Sequence, residues 1–176
     1  PIDTQFLVSF RKVSWSSLSN LLVGIVIGAY GLLHLINRSE PQWRLEWYSI
    51  PMYLLFVGCG IVILYLLMIT LAATSIWLGR NQSLYDFWFY ITNFSRYPME
   101  IYNRGWGVPL YYIFTFALPV LVVVNVPAKF LARPLLPESA SDWWLAGFTI
   151  LAAVLSFAAS RWVFTRSLLS YRSASS

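Results

Sequence analysis

The chain has 176 residues, of which 59% are hydrophobic and only 11% are charged. Soluble domains carry about 25% charged residues, so this composition excludes a water-soluble fold. The formal net charge of +5 comes from basic residues spread along the chain, which predicts no nucleic-acid partner. The single cysteine, Cys59, excludes a disulfide within the chain and a Cys-based zinc site.

Four apolar stretches are long enough to be transmembrane helices, because crossing the hydrocarbon core takes about 20 residues whose backbone groups bond internally. They run approximately over 18–36, 48–78, 108–126 and 144–164. The second contains no charged residue and is longer than a usual span, so we expect it to tilt or to continue beyond the membrane surface. We therefore predict an all-α integral membrane protein with about four transmembrane helices, forming one membrane-spanning domain over 1–176.

The first span contains a G-x-x-x-G step, formed by Gly24 and Gly28. Glycines four residues apart let a neighbouring helix approach closely. We predict helix packing at this step, either within the chain or between two copies. His34, near the outer end of the same span, has no carboxylate close in sequence and is better explained as an interfacial residue than as a proton relay.

The connection after the second span is unusually aromatic. Apolar residues at Leu84, Phe87, Trp88 and Ile91 recur at helical spacing, which predicts an amphipathic helix within 82–103 on the cytoplasmic face. We expect Pro98 to end it. The helix would serve either as an anchor in the headgroup zone or as a platform for a cytoplasmic partner.

Pro119 falls near the middle of the third span. Proline removes one helical hydrogen bond and bends the helix about one turn earlier. We predict a helix kink here, which is compatible with a moving transport element and equally with a static bend. The segment 127–143, with three prolines among apolar residues, is expected to be an outer loop or a re-entrant segment.

The flanking charges indicate which side of the membrane each loop occupies, since Lys and Arg accumulate on cytoplasmic loops. Eight of the twelve basic residues lie near the N-terminal segment 1–16, the connection 80–105 and the C-terminal tail 165–176. These are Arg11, Lys12, Arg80, Arg96, Arg104, Arg161, Arg166 and Arg172. We therefore predict a multi-pass protein with both termini in the cytoplasm, and Trp106 at the inner interface.

Motifs of soluble chemistry are missing from the sequence. It has no H-E-x-x-H, no nucleophile elbow, no pair of acids within a span and no P-loop. We predict that the chain is not an enzyme and that it binds no metal or cofactor. If ATP powers its activity, another chain must hydrolyse it.

Several short motifs, in a fixed order, resemble the ABC type-2 permease family, the membrane subunits of bacterial ATP-driven exporters. They are Pro1-Ile2-Asp3-Thr4-Gln5-Phe6, Phe94-Ser95-Arg96-Tyr97-Pro98, Ile101-Tyr102, Phe116-Ala117-Leu118-Pro119 and Pro127-Ala128. The resemblance implies a permease fold of six helices, of which this chain has the last four and lacks the first two. It also implies a bacterial plasma (inner) membrane location, a second permease subunit forming a homodimer or heterodimer, and ABC ATPase subunits that bind ATP and Mg.

The resemblance further implies that the N-terminal segment contacts the ATPase. The residues expected to form or border this coupling interface are Asp3, Gln5, Phe6, Phe10, Arg11 and Lys12. Apolar side chains flanked by charges suit a groove on a partner protein. An interfacial helix that binds only lipid headgroups explains the same pattern.

Two other functions are compatible with a helical membrane protein. One is a membrane-embedded enzyme that modifies lipids, which requires acids, His or Cys collected near one interface. The other is an assembly subunit with no transport path of its own. The leading interpretation is the permease subunit of an ATP-driven exporter, and no charged or polar cluster within the predicted spans identifies its substrate.

Overall fold

The computed structural model describes residues 15–37, 47–78, 82–132 and 140–174, and all regular structure in these ranges is helical. The α-helices are α1 Trp15–Asn37, α2 Ser49–Leu78, α3 Gln82–Phe94, α4 Val108–Tyr112, α5 Val120–Ala132 and α6 Ala140–Ala174. Short 3-10 turns occupy Met99–Ile101 and Gly105–Gly107 between α3 and α4, and a π-helix over Ile113–Ala117 continues α4.

Within these described ranges, three helices are long and apolar enough to cross a membrane, over Trp15–His34, Ser49–Ser75 and Ser141–Leu169. A fourth crossing is possible if the bent pair Gly105–Ala117 and Val120–Ala132 is counted as one span. The prediction of an all-α membrane protein with about four spans is therefore confirmed.

The chain divides into two compact units, Pro1–Leu45 and Glu46–Ser176. In the first unit α1 has an apolar sequence and mostly exposed side chains, as expected of a helix whose surroundings are lipid. A Cβ added at Gly24 or Gly28 would meet no atom of the described residues within 4 Å. The packing role of this glycine step therefore stays a prediction.

The second unit has its core where α2, α5 and α6 meet. Phe56 and Ile63 of α2, Val123 and Phe130 of α5, and Ala152 of α6 all belong to one buried cluster. Apart from Leu145, the buried residues of α6 are small, and they are Ala146, Thr149, Ala152, Ala153, Ser160 and Ser167. Small side chains let helices approach closely in a membrane, where packing rather than water exclusion drives helix association.

Contacts between aromatic rings show how these three helices are oriented relative to one another. Phe56, near the start of α2, lies 4.6 Å from Phe130, near the end of α5, and Phe130 lies 6.1 Å from Trp143 at the start of α6. At the other end of α5, Pro119 lines the same cavity as Leu66 of α2. Thus α5 runs antiparallel to α2, and α6 runs parallel to α2.

Several boundaries differ from those that the sequence predicts. The predicted span 108–126 is divided at Pro119, and its second half continues as helix through Pro127 to Ala132, into the segment 127–143 that is predicted as an outer loop or a re-entrant segment. Residues 133–139 lie outside the described residues. The amphipathic helix ends at Phe94, before Pro98, and α6 continues through Ala174, which makes most of the predicted tail helical.

Candidate functional site

The bent helix pair is the most unusual feature of the second unit. Its two halves meet at 86°. The N–H of Leu118 donates to the carbonyl of Ile113 at 2.8 Å, and the N–H of Val120 donates to the carbonyl of Leu118 at 2.6 Å. Pro119 offers no N–H and disfavours a helical conformation at Leu118, whose φ of −120° and ψ of 88° are not helical. The bend therefore lies at Leu118 and Pro119 themselves.

A polar contact closes the open side of this bend. Asn125 of α5 is buried, and its Oδ1 accepts a hydrogen bond from the N–H of Met99 at 3.0 Å. Its Nδ2 donates to the carbonyls of Tyr97 at 3.2 Å and Leu121 at 2.8 Å. The chain thus leaves Met99, passes through the bend and returns within hydrogen-bonding distance of its starting point.

One turn further along α5, Lys129 reinforces this closure. Its ammonium lies 3.3 Å from Glu100 Oε1 and 3.5 Å from Asp142 Oδ1, with 26% of the lysine side chain exposed. We call Asn125, Lys129, Glu100 and Asp142 the polar clasp. It joins the turn before α4, the helix α5 and the first turn of α6.

The polar clasp is incompatible with the sequence-based sidedness of two segments. Glu100 belongs to 82–103, predicted to be cytoplasmic, and Asp142 belongs to 127–143, predicted to be outside. Both carboxylates contact the same ammonium, so no hydrocarbon core of about 30 Å separates them. The charge count assigned these two segments to opposite faces because it considers Lys and Arg along the chain and not the acids that pair with them.

The contact between α2 and α5 is tight at Gly60. A Cβ at this position would lie 2.9 Å from Val123 Cγ1 and 3.0 Å from the Val123 carbonyl oxygen. That carbonyl lacks its usual helical donor, because the residue four positions on is Pro127. The α2 backbone therefore passes close to the place where proline weakens the hydrogen bonding of α5.

A cavity of about 270 Å³ lies where the bend meets α2 and α6. Two buried hydroxyls near it, Thr115 Oγ1 and Ser160 Oγ, have no hydrogen-bond partner among the described residues. Thr115 lies in the π-helix that precedes the bend, and Ser160 lies one turn after Ser156, which lines the cavity. Short π-helical segments are frequent at functional sites, and unpaired buried hydroxyls are rare enough to need an explanation.

The surroundings of the polar clasp also affect one phenol. Burial, reinforced by the neighbouring Tyr97, raises the pKa of Tyr102 above its usual value. The phenol is therefore neutral at physiological pH. Within the described ranges, no three or more His, Cys, Asp or Glu side chains are grouped so that they could hold a metal ion.

The residues predicted to contact an ATPase, from Asp3 to Lys12, lie outside the described residues. The sequence predicted a helix kink about one turn before Pro119, and the structure places the bend at Leu118 and Pro119. It did not identify Asn125 or Lys129. The signal for Asn125 was a single amide in the apolar run Val122-Val123-Val124-Asn125-Val126, since a polar side chain within a span is often functional or cross-links helices.

A family described as ABC-2 family transporter protein matches residues 1–175. No curated protein and no solved structure matches the chain.

Proposed function

The chain belongs to the ABC-2 transporter family and is a permease component of an ABC transporter, and we propose that ATP hydrolysis by partner subunits drives it as an exporter. The observation that carries the proposal is the family match over nearly the whole chain. The bent helix pair supports it, because a transporter needs an element with two arrangements inside the membrane.

The moving element is the bent pair, and its hinge is Leu118 and Pro119. A hinge must absorb a change in backbone angles, and at this point the regular helical hydrogen bonds are already interrupted. The polar clasp holds the pair in the arrangement seen here. The unpaired hydroxyls of Thr115 and Ser160 favour a second arrangement in which they find partners, since each costs about 1–3 kcal/mol while unpaired.

The proposed partner contact is the segment containing Asp3, Gln5, Phe6, Phe10, Arg11 and Lys12. Closure of the ATPase subunits on nucleotide and Mg would pull on this segment and shift the helices that follow it. A second permease subunit, the same or different, would complete the pathway. The bacterial inner membrane is the proposed location, with both termini in the cytoplasm.

The test combines the full-length protein with the ABC ATPase encoded nearest to it, in proteoliposomes. We expect the two to purify together. Replacing both Phe6 and Phe10 by Ala should weaken their association about 30-fold, as for loss of interface residues that contribute about 2 kcal/mol in total. Ser9→Ala, in the same segment, is the matched control. If no ATPase associates with the intact protein, or if the phenylalanine variant binds as tightly as the control, the proposed coupling is wrong.

The proposal includes a membrane topology that differs from the one read from the charges. Because α2 and α6 run in the same direction, the chain between them must return across the membrane. We assign this return to α3 and the residues up to Met99. The 13 residues of α3 extend about 20 Å at 1.5 Å per residue, which is less than the core of about 30 Å. Residues 95–99 complete the return, since the N–H of Met99 bonds to Asn125 of the polar clasp. The bent pair then enters and leaves the membrane on one face.

Side-specific labelling tests this topology. With Cys59 replaced by Ser, single cysteines are introduced at Trp106, which is 99% exposed, and at Arg172, in the part of α6 beyond the candidate span that ends at Leu169. A membrane-impermeant maleimide should label the two positions from opposite faces. The charge-based topology puts them on the same face, so labelling of both from one side would disprove the assignment of α3 as the return crossing.

A further inference from the structure

The cavity at the bend has an almost entirely hydrocarbon lining. Of the eleven residues around it, only Thr70 and Ser156 carry polar side chains, and none is charged. The Thr70 hydroxyl already donates to the carbonyl of Leu66 at 2.8 Å. The lining therefore presents almost only carbon atoms to a ligand, so it suits an uncharged, apolar ligand.

The cavity lies at the depth of the hydrocarbon core. Its α6 residues run from Phe148 to Ala159, and this stretch includes the midpoint of the 35-residue helix. Ser156 lies sixteen residues after Ala140, about 24 Å along the helix axis. Water is absent at this depth and lipid chains are the medium.

The cavity is partly open towards the outer surface of α6. Leu155 is 56% exposed and Ala159 is also exposed, although both line the cavity. A lipid chain beside the helix can therefore enter without the bundle opening. The volume of the cavity, about 270 Å³, exceeds the roughly 150 Å³ of an apolar protein cavity known to bind benzene.

We propose that this cavity is a binding site for the acyl chain of a phospholipid from the surrounding bilayer. The acyl chain fills the space beside Pro119 and contacts Phe116, Phe148 and Leu155. It supports the bent arrangement by supplying the packing contacts that an empty cavity lacks. This site does not depend on ATP-driven transport.

The experiment uses the full-length protein in phosphatidylcholine nanodiscs containing a phosphatidylcholine with a diazirine near the end of one tail. After illumination, labelled positions are mapped by peptide mass spectrometry. We expect labelling to concentrate on Leu155 and Ala159 relative to the other exposed positions of α6. This measurement uses the unmodified protein and needs no variant.

Two matched variants sharpen the test. Ala158 and Ala159 are both exposed and adjacent on α6, but only Ala159 lines the cavity. Ala159→Phe should reduce labelling of the cavity about tenfold because the large ring occupies the volume of the chain. Ala158→Phe should leave it unchanged.

Four results would overturn the proposal. The first is even labelling around α6, which indicates ordinary contact with bulk lipid. The second is labelling of the cavity that Ala159→Phe does not reduce. The third is labelling that depends on ATP turnover by a partner ATPase, which would make the occupant a transported amphiphile. The fourth is labelling that appears only when permease subunits are dissociated, which would mean that a second subunit normally occupies the cavity.

Discussion

Replacing Gly60 by alanine should disturb the contact between α2 and α5. The added Cβ would lie 3.0 Å from the Val123 carbonyl oxygen and 2.9 Å from Val123 Cγ1. The oxygen belongs to the backbone and cannot rotate away, so α5 must shift. Overpacking of this kind typically costs about 1–3 kcal/mol.

Gly58 provides a matched control two residues earlier in the same helix, because a Cβ there would meet no atom within 4 Å. Both replacements gain about 0.8–1.0 kcal/mol of intrinsic helix propensity, and this gain cancels when the variants are compared. We therefore expect Gly58→Ala to be at least as stable as the native chain. Gly60→Ala should be less stable than Gly58→Ala by about 1–3 kcal/mol.

The free energy of unfolding is measured by SDS titration of the full-length protein in mixed micelles, with helix content followed by circular dichroism. The comparison is between the two variants, so errors in the unfolded reference state largely cancel. If the two differ by less than about 0.5 kcal/mol, the range of an unremarkable surface substitution, then Gly60 does not pack against the Val123 backbone as described.

Two predictions concern the polar clasp. Asn125→Ala removes the acceptor of the Met99 N–H and should lower the free energy of unfolding by about 1–3 kcal/mol, because a buried donor is left unpaired. Asn103→Ala, at an exposed amide, is the control in the same SDS titration. Equal stability of the two variants would contradict the role of Asn125. Lys129→Glu places a third carboxylate beside two others and should destabilise the closed arrangement, as measured by faster proteolysis of the turn before α4. Adding Glu100→Lys restores an opposite-charge pair and should slow proteolysis again, whereas additive damage in the double variant would mean that these two residues are not coupled.

Features of this protein that depend on short stretches of sequence were predictable. The span predicted over 48–78 corresponds to α2 at Ser49–Leu78, because transfer into hydrocarbon depends mainly on the side chains of the segment itself. Pro119 predicted a kink about one turn earlier, and the break lies between Ala117 and Val120, within a turn of that position. Both predictions use information within about twenty residues of the position concerned.

The path of the chain after α2 required the tertiary structure. Lys129 was counted as one basic residue of a loop, but its position beside Glu100 and Asp142 depends on segments 29 residues before it and 13 after it. The amide of Asn125 was visible, but its partner at Met99 was not, because hydrogen-bond geometry between distant segments leaves no periodic pattern in a sequence.

Composition and local chemistry thus determined that the chain is a helical membrane protein and where its helices bend. Only the tertiary structure decided that the bent pair turns back on itself, that α2 passes close to α5 at Gly60, and that a cavity remains beside Pro119. The physical reason is that insertion is a sum over single residues, whereas helix direction, close contact and unfilled volume depend on which surfaces meet.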